Sequence, residues 1–345
     1  MNILIIGGSG FIGRHLGSQL FESGHTVTVF HRGNAPVRPG TGQILGDHNS
    51  LSEHRNTFLR EKFDVVIDML LSSESQARKL MDTFRGLTGR VVALSSMDVY
   101  RAWGVFYCLE TGGLQELPVT EDSELRTKQI RYPPEVLKKV QEIFSWMNDE
   151  YEKITVEKEV LNNDGELPGT VVRLPMVYGP GDPLHRLHFL LKRMDDGRRS
   201  IIFADDVAAV RTPRGYVENV AHAIALAATL ERASGRVYNV CEPTAFSELD
   251  WARRAAAVAG WEGDFVVLPH DKTPKHLLWP GNTAQHLVVS SDRIRAELAY
   301  REQVPLNEAL RRTIQWEREH LPQNPMAQFD YPAEDDALQR LEAAS

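Results

Sequence analysis

The amino-acid sequence predicts an α/β protein with a doubly wound parallel sheet and a smaller C-terminal α/β lobe. Three observations support this fold class. In the first half, short apolar runs alternate with segments of helical periodicity, which is typical of a parallel sheet covered by helices on both faces. A glycine-rich turn follows the first apolar run. With 345 residues, the chain is also longer than one hydrophobic core usually grows, which predicts a second lobe.

The elements of the first half are predicted in chain order from periodicity and turn residues. A first strand is expected at residues 3–6, followed by a helix at residues 13–23. Residues 74–85 and a segment that ends at residue 162 are expected to be helical. Further strands are predicted at residues 25–30, 43–45, 63–68, 90–95 and 170–174.

The predicted domain boundaries lie where this alternation of strands and helices becomes irregular. Residues 1–177 are predicted to form the first lobe, to which residues 215–240 return, and residues 178–214 and 241–321 are predicted to form the second. Proline and acidic residues dominate residues 322–345, so we expect a polar tail with one short helix at most. Within the first lobe, the connection at 101–148 is long for an α/β domain, which predicts a locally folded insert or a lid.

Composition excludes several classes of protein. The net charge of −8 disfavours a general electrostatic attraction to nucleic acid. Two cysteines, Cys108 and Cys241, do not make a disulfide framework. The N-terminal apolar run ends at Gly7, which is too short for a signal peptide, and no stretch reaches the roughly 20 apolar residues of a membrane helix. We therefore expect a cytoplasmic protein without a membrane partner.

The glycine-rich turn indicates dinucleotide binding. Gly7, Gly10 and Gly13 follow a strand and open a helix. Glycines at this spacing allow a tight turn, the close approach of a pyrophosphate and close packing of the helix, whose N-terminus then attracts the phosphates. This context predicts a Rossmann-type site. The residues of the turn predicted to contact the cofactor are Gly7, Ser9, Gly10, Phe11, Ile12 and Gly13.

The end of the second strand predicts which cofactor is bound. Sites for NAD usually place an acidic residue there, on the ribose hydroxyls. This chain has Arg32 instead, and a planar guanidinium suits a 2′-phosphate. We therefore predict NADP, with NAD as the alternative. Asp47, after the third short strand, is predicted either to accept a hydrogen bond from the adenine or to cap the helix that follows it.

Several segments together resemble the extended short-chain dehydrogenase/reductases of the NAD-dependent epimerase/dehydratase family. The resemblance runs from residue 1 to about residue 319. It includes the serine-containing segment after the fifth strand and a proline- and glycine-rich segment after the sixth. The segments that carry it are residues 7–13, 94–100, 173–181, 215–221, 237–240 and 291–298.

This resemblance implies a function and several roles. It implies an NAD(P)-dependent oxidoreductase or epimerase that acts on a hydroxyl or keto group of a sugar-like or nucleotide-sugar substrate, and a homodimer. Ser96 matches the family serine that hydrogen-bonds the reacting carbonyl or hydroxyl. Met69 and Leu70 match residues that face the cofactor, and Pro175 and Val177 match the loop that packs on the nicotinamide.

The catalytic helix departs from the family pattern of Tyr-x-x-x-Lys. If Asp149 stands in the tyrosine position, Lys153 fills the lysine position and is then predicted to hold the nicotinamide ribose of the cofactor. Tyr151 instead fills the tyrosine position if Thr155 replaces the lysine. On an ideal helix Tyr151 and Lys153 are about 200° apart, so both face one substrate only if the helix is distorted. Ser96, Tyr151 and Lys153 are the predicted catalytic residues. Whether Tyr151, Asp149 or another group is the acid/base stays open.

Other polar residues are weaker candidates. In the related proteins an arginine near Arg211 or Arg214 holds a nucleotide diphosphate, as bidentate guanidinium contacts allow. His185, Arg186 and His188 are expected to be solvated, and no metal site is predicted, because two histidines without a placed acid do not make one.

Two interpretations of the whole protein remain. Asp98 and Tyr100 lie just past Ser96, where they either line the substrate site or pack in the core. The first interpretation is the enzyme described above. The alternative is a catalytically degenerate dinucleotide-binding sensor or scaffold, because degenerate relatives include plant chloroplast proteins that bind RNA.

Overall fold

The computed structural model describes residues 1–129, 134–162 and 165–344. Residues 130–133 of the predicted insert and residue 345 of the predicted tail lie outside these described ranges.

The strands confirm the predicted fold class. Seven of them form one parallel sheet in the order β10-β6-β5-β4-β1-β2-β3. The strand order reverses direction beside β1, which is the doubly wound arrangement. The strands are β1 (Asn2–Ile6), β2 (Thr26–His31), β3 (Gly42–Leu45), β4 (Val65–Asp68), β5 (Arg90–Ser96), β6 (Gly169–Leu174), β7 (Met176–Tyr178), β8 (Ser200–Ala204), β9 (Arg214–Tyr216), β10 (Val237–Asn239) and β11 (Asp264–Leu268).

Helices cover both faces of this sheet and build the second lobe. They are α1 (Phe11–Glu22), α2 (Arg55–Glu61), α3 (Glu74–Phe84), α4 (Arg101–Phe106), α5 (Pro134–Ile143), α6 (Lys153–Leu161), α7 (His188–Asp195), α8 (Asp205–Ala209), α9 (Val217–Thr229), α10 (Glu248–Ala259), α11 (Asp292–Leu298), α12 (Leu306–Glu319) and α13 (Tyr331–Ala344). None of these described helices is long and apolar enough to cross a bilayer.

The apolar run of β1 is explained by burial on both faces of the sheet. Ile3 and Ile5 face the core shared with α1 and α9, whereas Leu4 and Ile6 face the core shared with α3 and α6. Because successive side chains point to opposite faces, a central strand covered on both sides must be apolar throughout.

The second lobe contains two small parallel pairs, β8 with β11 and β7 with β9. Helices α7, α10 and α12 pack together beside them. The chain returns to the first lobe through α9, which packs on α1, and through β10, which pairs with β6 at the edge of the main sheet.

The C-terminal tail is more ordered than the expectation of one short helix at most. Helix α13 spans 14 residues. Its Glu334 is fully buried and forms an ion pair with the equally buried Arg193 of α7, with Oε–N distances of 3.1 and 2.5 Å. The Arg193 guanidinium also lies 4.8 Å from the ring centre of Phe329. The prediction was wrong because it used local composition, and this contact joins residues that are distant in sequence.

The buried ion pair gives a test of how the tail is held. Replacing Glu334 by Ala leaves the Arg193 charge buried without its carboxylate, which typically costs about 3 kcal/mol. We expect the E334A variant to unfold at a lower temperature in calorimetry and to be cleaved by protease near residue 321.

The matched control is D336A, which removes the exposed Asp336–Arg340 pair of the same helix. Such exposed pairs contribute at most about 1 kcal/mol. Equal behaviour of the two variants would contradict a role for Glu334 in docking the tail.

Candidate functional site

The glycine-rich turn has the geometry that phosphate binding requires. Gly7 has a φ of +81°, which favours glycine. A Cβ on Gly13 would lie 2.6–2.8 Å from backbone atoms of Gly7 and Gly8, so only glycine lets α1 start so close to the turn. Gly10 caps α1 without a side-chain hydrogen bond. The first N–H groups of α1 are therefore available to an anion.

A cavity of about 170 Å³ lies beside this turn, at the carboxyl ends of β1 and β2. Six of the predicted cofactor-binding residues line it, which are Gly7, Ser9, Gly10, Arg32, Asp47 and Leu70. The seven remaining predicted residues lie elsewhere. Gly13 packs on the turn, Phe11, Ile12, Met69 and Val177 pack against the main core, and Pro175 lies against Gly215. Lys153 is buried at the start of α6.

The insert covers part of this cavity. Ser145 and Trp146 line it, and Arg32 Nη2 donates a 2.6 Å hydrogen bond to the Ser145 hydroxyl. Trp146 also lies 5.5 Å, ring centre to Nζ, from Lys153. A volume of about 170 Å³ encloses only part of a dinucleotide. The segment at 145–146 was not predicted as part of the site, because the residue that it contacts there, Arg32, is distant from it in the sequence.

Asp47 performs the capping role that the sequence left open. Its Oδ1 accepts a 2.8 Å hydrogen bond from the Asn49 N–H. The residue also lines the cavity.

Tyr151 and Lys153 approach each other because the segment between them is not helical. Helix α6 begins at Lys153, and Glu152 caps it with an extended backbone, φ −159° and ψ 101°. In extended backbone, side chains two residues apart point to the same side. The Lys153 Nζ accordingly lies 5.9 Å from the centre of the Tyr151 ring. The two residues thus approach each other because the chain departs from an ideal helix at Glu152, which is the condition that the sequence set for it.

The Tyr151 hydroxyl donates a 2.8 Å hydrogen bond to Oδ2 of Asp98. Asp98 lies just after β5 and is buried, and its Oδ1 has no hydrogen-bond partner among the described residues. Burial raises the pKa of Asp98, although the charges of Arg126 and Lys153 and the hydrogen bond from Tyr151 oppose the shift. The pair therefore combines a phenol with a carboxyl group that takes up a proton more readily than usual.

Lys153 is fully enclosed. Its Nζ donates a 3.1 Å hydrogen bond to the Leu94 carbonyl and a second bond to the Leu71 carbonyl. Burial lowers its pKa to about 8, against the opposing charges of Asp98 and others. Lys153 thus ties the start of α6 to the ends of β4 and β5.

The other catalytic candidates take different positions. Ser96 is partly buried, and its Oγ accepts a 3.2 Å hydrogen bond from the Asp98 N–H at the end of β5. Asp149 is exposed and bonded to Gln141 at 2.8 Å, and Thr155 donates to the Glu152 carbonyl. The site residue that sequence reasoning left undecided is Asp98, and its signal was its place two residues after Ser96.

Helix α6 is anchored by a buried polar network. Glu157 receives hydrogen bonds from Arg173 at 2.6 and 2.9 Å and from Ser95 at 2.5 Å. Arg173 also donates to the Tyr100 hydroxyl, which donates to Asn239 at 2.7 Å. Tyr100 is therefore a core residue, and its burial raises its pKa to about 12.

The basic residues after β7 are held by carboxylates. His185 lies 2.7 Å from Glu317, and Arg186 lies 2.6 Å from Asp182. His188 is buried, so the expectation that all three are solvated was wrong. Among the residues that the structure describes, no group of three or more His, Cys, Asp or Glu side chains is placed to hold a metal ion.

The two arginines proposed for a diphosphate differ in position. Arg211 is exposed and bonded to the Ala245 carbonyl. Arg214 is mostly buried, and its Nη2 donates to both oxygens of Glu248 at 2.7 Å. Only Arg214 lines the larger cavity of about 580 Å³ in the C-terminal lobe.

A partly buried carboxyl group, that of Glu242, lies next to a residue of that cavity. Tyr178, which lines the cavity, donates a 2.7 Å hydrogen bond to Glu242. Burial raises the pKa of Glu242 to about 7, while this hydrogen bond and the charge of Arg214 oppose the shift.

Comparison with known proteins gives the family. The model of the family described as "NAD dependent epimerase/dehydratase family" matches residues 3–123 and 148–241, which is more than half of the chain. The chain is 23% identical over 331 residues to the chloroplast stem-loop binding protein of 41 kDa b from Arabidopsis thaliana, covering 89% of this chain and 77% of that protein.

Two solved structures show the same fold. UDP-glucose 4-epimerase from Thermotoga maritima, solved with UDP-glucose, is 18% identical with a TM-score of 0.66, covering 93% of this chain and 100% of that one. The dTDP-glucose 4,6-dehydratase from Bacillus anthracis, solved with NAD, is 16% identical with a TM-score of 0.64, covering 93% and 97%.

The raised pKa of Glu242 predicts a pH dependence of stability. An acid whose pKa is higher in the folded state stabilises that state at low pH, and the contribution disappears as pH rises through the folded pKa. We expect the free energy of unfolding of wild type, relative to E242Q, to fall by about 3 kcal/mol between about pH 5 and about pH 8. Urea unfolding at several pH values measures this, and parallel curves would contradict it.

Proposed function

The chain belongs to the NAD dependent epimerase/dehydratase family, and we propose that it is an NAD(P)-dependent oxidoreductase or epimerase. Its substrate is a small molecule whose hydroxyl or keto group belongs to a sugar-like ring or a nucleotide sugar. The observation that carries the proposal is the 2.8 Å hydrogen bond between the Tyr151 hydroxyl and the buried Asp98. A phenol joined to a buried carboxyl group supplies the acid/base chemistry that oxidation of an alcohol requires.

The proton follows a defined path in this proposal. Tyr151 takes the proton of the substrate hydroxyl as it gives its own to Asp98, and the reverse occurs when a ketone is reduced. Burial raises the pKa of Asp98 and so makes it a stronger base. Because the carboxylate is an adjacent acceptor, this path does not require a stable phenolate.

The other residues position these groups. Ser96, at the end of β5, orients the reacting oxygen in the way that the family resemblance implies. Lys153 holds the start of α6 and keeps positive charge beside Asp98. Residues of the glycine-rich turn and Arg32 would hold the dinucleotide, whose nicotinamide supplies hydride transfer when bound.

Three features of the cleft support NADP as the cofactor. Arg32 lines the cavity, and its partner there, Ser145, is a neutral hydroxyl. A phosphate binds a guanidinium more strongly than a neutral hydroxyl does. NAD sites usually have an acidic residue at the end of β2, which binds the ribose hydroxyls. In this cleft Arg32 occupies that position instead.

Arg32 gives the test of the cofactor. Replacing it by Ala removes the group that would hold the 2′-phosphate, so NADP should bind about tenfold more weakly or worse, while NAD binding changes little. Isothermal titration calorimetry with both cofactors measures this. R38A is the matched control, because Arg38 lies in the same connection but pairs with Glu22. An equal loss for both cofactors would favour NAD.

Tyr151 gives the test of the reaction. Y151F breaks the proton path, so kcat should fall by about 100-fold or more, with unchanged binding of the cofactor. D98N should have a similar effect, because an amide does not accept the proton. The assay uses a panel that contains UDP-glucose and phenyl glucosides. It follows NADPH formation for an oxidoreductase and chromatographic separation of the sugar epimers for an epimerase, which forms no net NADPH.

The matched control is Y331F, which removes a tyrosine–aspartate hydrogen bond to Asp196 on the surface of the second lobe. It should leave kcat unchanged. Cofactor binding without turnover of any substrate in wild type would instead support the degenerate sensor or scaffold. Full activity of Y151F would remove Tyr151 from the reaction.

A further inference from the structure

The larger cavity of about 580 Å³ lies in the second lobe and begins at β7. Its size is in the range of pockets that hold small molecules. Aromatic and aliphatic side chains form most of its wall. The main apolar contributors are Tyr178, Phe189, Phe203, Trp251, Leu277 and Trp279.

The C-terminal tail completes this wall. Residues 326–328 line the cavity. They are followed at once by Phe329, which lies 4.8 Å from the Arg193 guanidinium. Glu334, three residues into α13, pairs with the same arginine and with His276 at 2.9 Å. The buried contacts of α13 therefore hold an apolar segment over the cavity.

The charged groups that line the cavity are largely neutralised. Arg214 donates to both oxygens of Glu248 at 2.7 Å, and these side chains are only 9% and 12% exposed. Arg186 is paired with Asp182 in the same way, at 2.6 Å. Lys275 lies at the exposed rim. Each arginine that lines the interior is thus paired with a carboxylate, so neither is free to bind an anion.

The guanidinium of Arg214 also lies over Trp251, 4.5 Å from its ring centre. Its charge is therefore shared between the carboxylate of Glu248 and an aromatic ring and is not left for an anion.

The cavity is connected to the proposed catalytic pair. Trp279 lines the cavity and packs edge-on against Phe106, with ring centres 6.2 Å apart. Trp279 also packs against the apolar cluster that contains Phe106, Met97 and Val99, and the last two flank Asp98 in the chain. The cavity wall and the segment that carries Asp98 therefore belong to one packed cluster.

We propose that this cavity binds the non-reacting part of the substrate, and that this part is an uncharged apolar group, aromatic or aliphatic. The proposal rests on the proposed function. Of the two substrate classes given there, it selects a sugar-like ring attached to an apolar group over a nucleotide sugar.

The physical reason is electrostatic. A diphosphate in this cavity must either separate Arg214 from Glu248, which leaves a buried carboxylate unpaired, or lie beside that carboxylate. Both are unfavourable where water does not screen the charges. An apolar group incurs neither penalty and gains from contact with the aromatic wall.

The test uses the full chain and two probes, the neutral fluorophore N-phenyl-1-naphthylamine and UDP. We expect saturable binding of the fluorophore, displacement by phenyl glucoside and no displacement by UDP at the same concentration. M326D places a charge in the wall and should weaken fluorophore binding about tenfold. L321D is the matched control, because Leu321 is exposed and lies outside this cavity.

A second variant tests the charge argument itself. E248Q removes the carboxylate that balances the charge of Arg214, so the affinity of the chain for UDP should rise about tenfold. Displacement of the fluorophore by UDP in wild type, no saturable fluorophore binding, or an unchanged UDP affinity of E248Q would each overturn the proposal. None of these measurements involves hydride transfer, so failure of the proposed function appears separately, as absence of turnover.

Discussion

The buried ion pair between Glu157 and Arg173 is the constraint on which the site depends. Both side chains are only 4% exposed, and such charges are tolerated inside a protein only when each is fully paired. Glu157 lies four residues after Lys153, so both side chains leave α6 on the same face, toward β5 and β6. The pair thereby fixes the start of α6 at the carboxyl ends of the strands. Tyr151 meets Asp98 there because the helix starts at this point and not earlier.

Much of the first lobe follows from local sequence because its determinants are local. The uninterrupted apolar residues of β1 predict a strand buried on both faces, and the structure places them there. The glycines at positions 7, 10 and 13 predict the turn, since each answers a steric demand of neighbouring backbone. The turn was therefore predictable in detail, along with six of the fifteen residues that line the cleft.

The remaining features arise from contacts between distant parts of the chain. Periodicity placed Tyr151 on a helix, but the Glu152 side chain is held by Arg126 at 2.6 Å and caps the helix after Tyr151. That arginine lies in the insert, 26 residues away. Composition likewise indicated a polar tail, whereas Arg193 gives Glu334 a buried partner. Neither pairing leaves a signal in a local window of sequence.

Arg32 and Arg214 differ in a way that separates the two cavities. Arg32 is bonded to the neutral hydroxyl of Ser145, so its full charge remains for an anion. Arg214 is bonded through Nη2 to both oxygens of Glu248, so its charge is balanced. A guanidinium attracts phosphate through its charge, and a carboxylate partner removes that attraction. In the functions proposed above, the same type of side chain with different partners therefore favours phosphate at the cofactor cleft and uncharged groups in the second lobe.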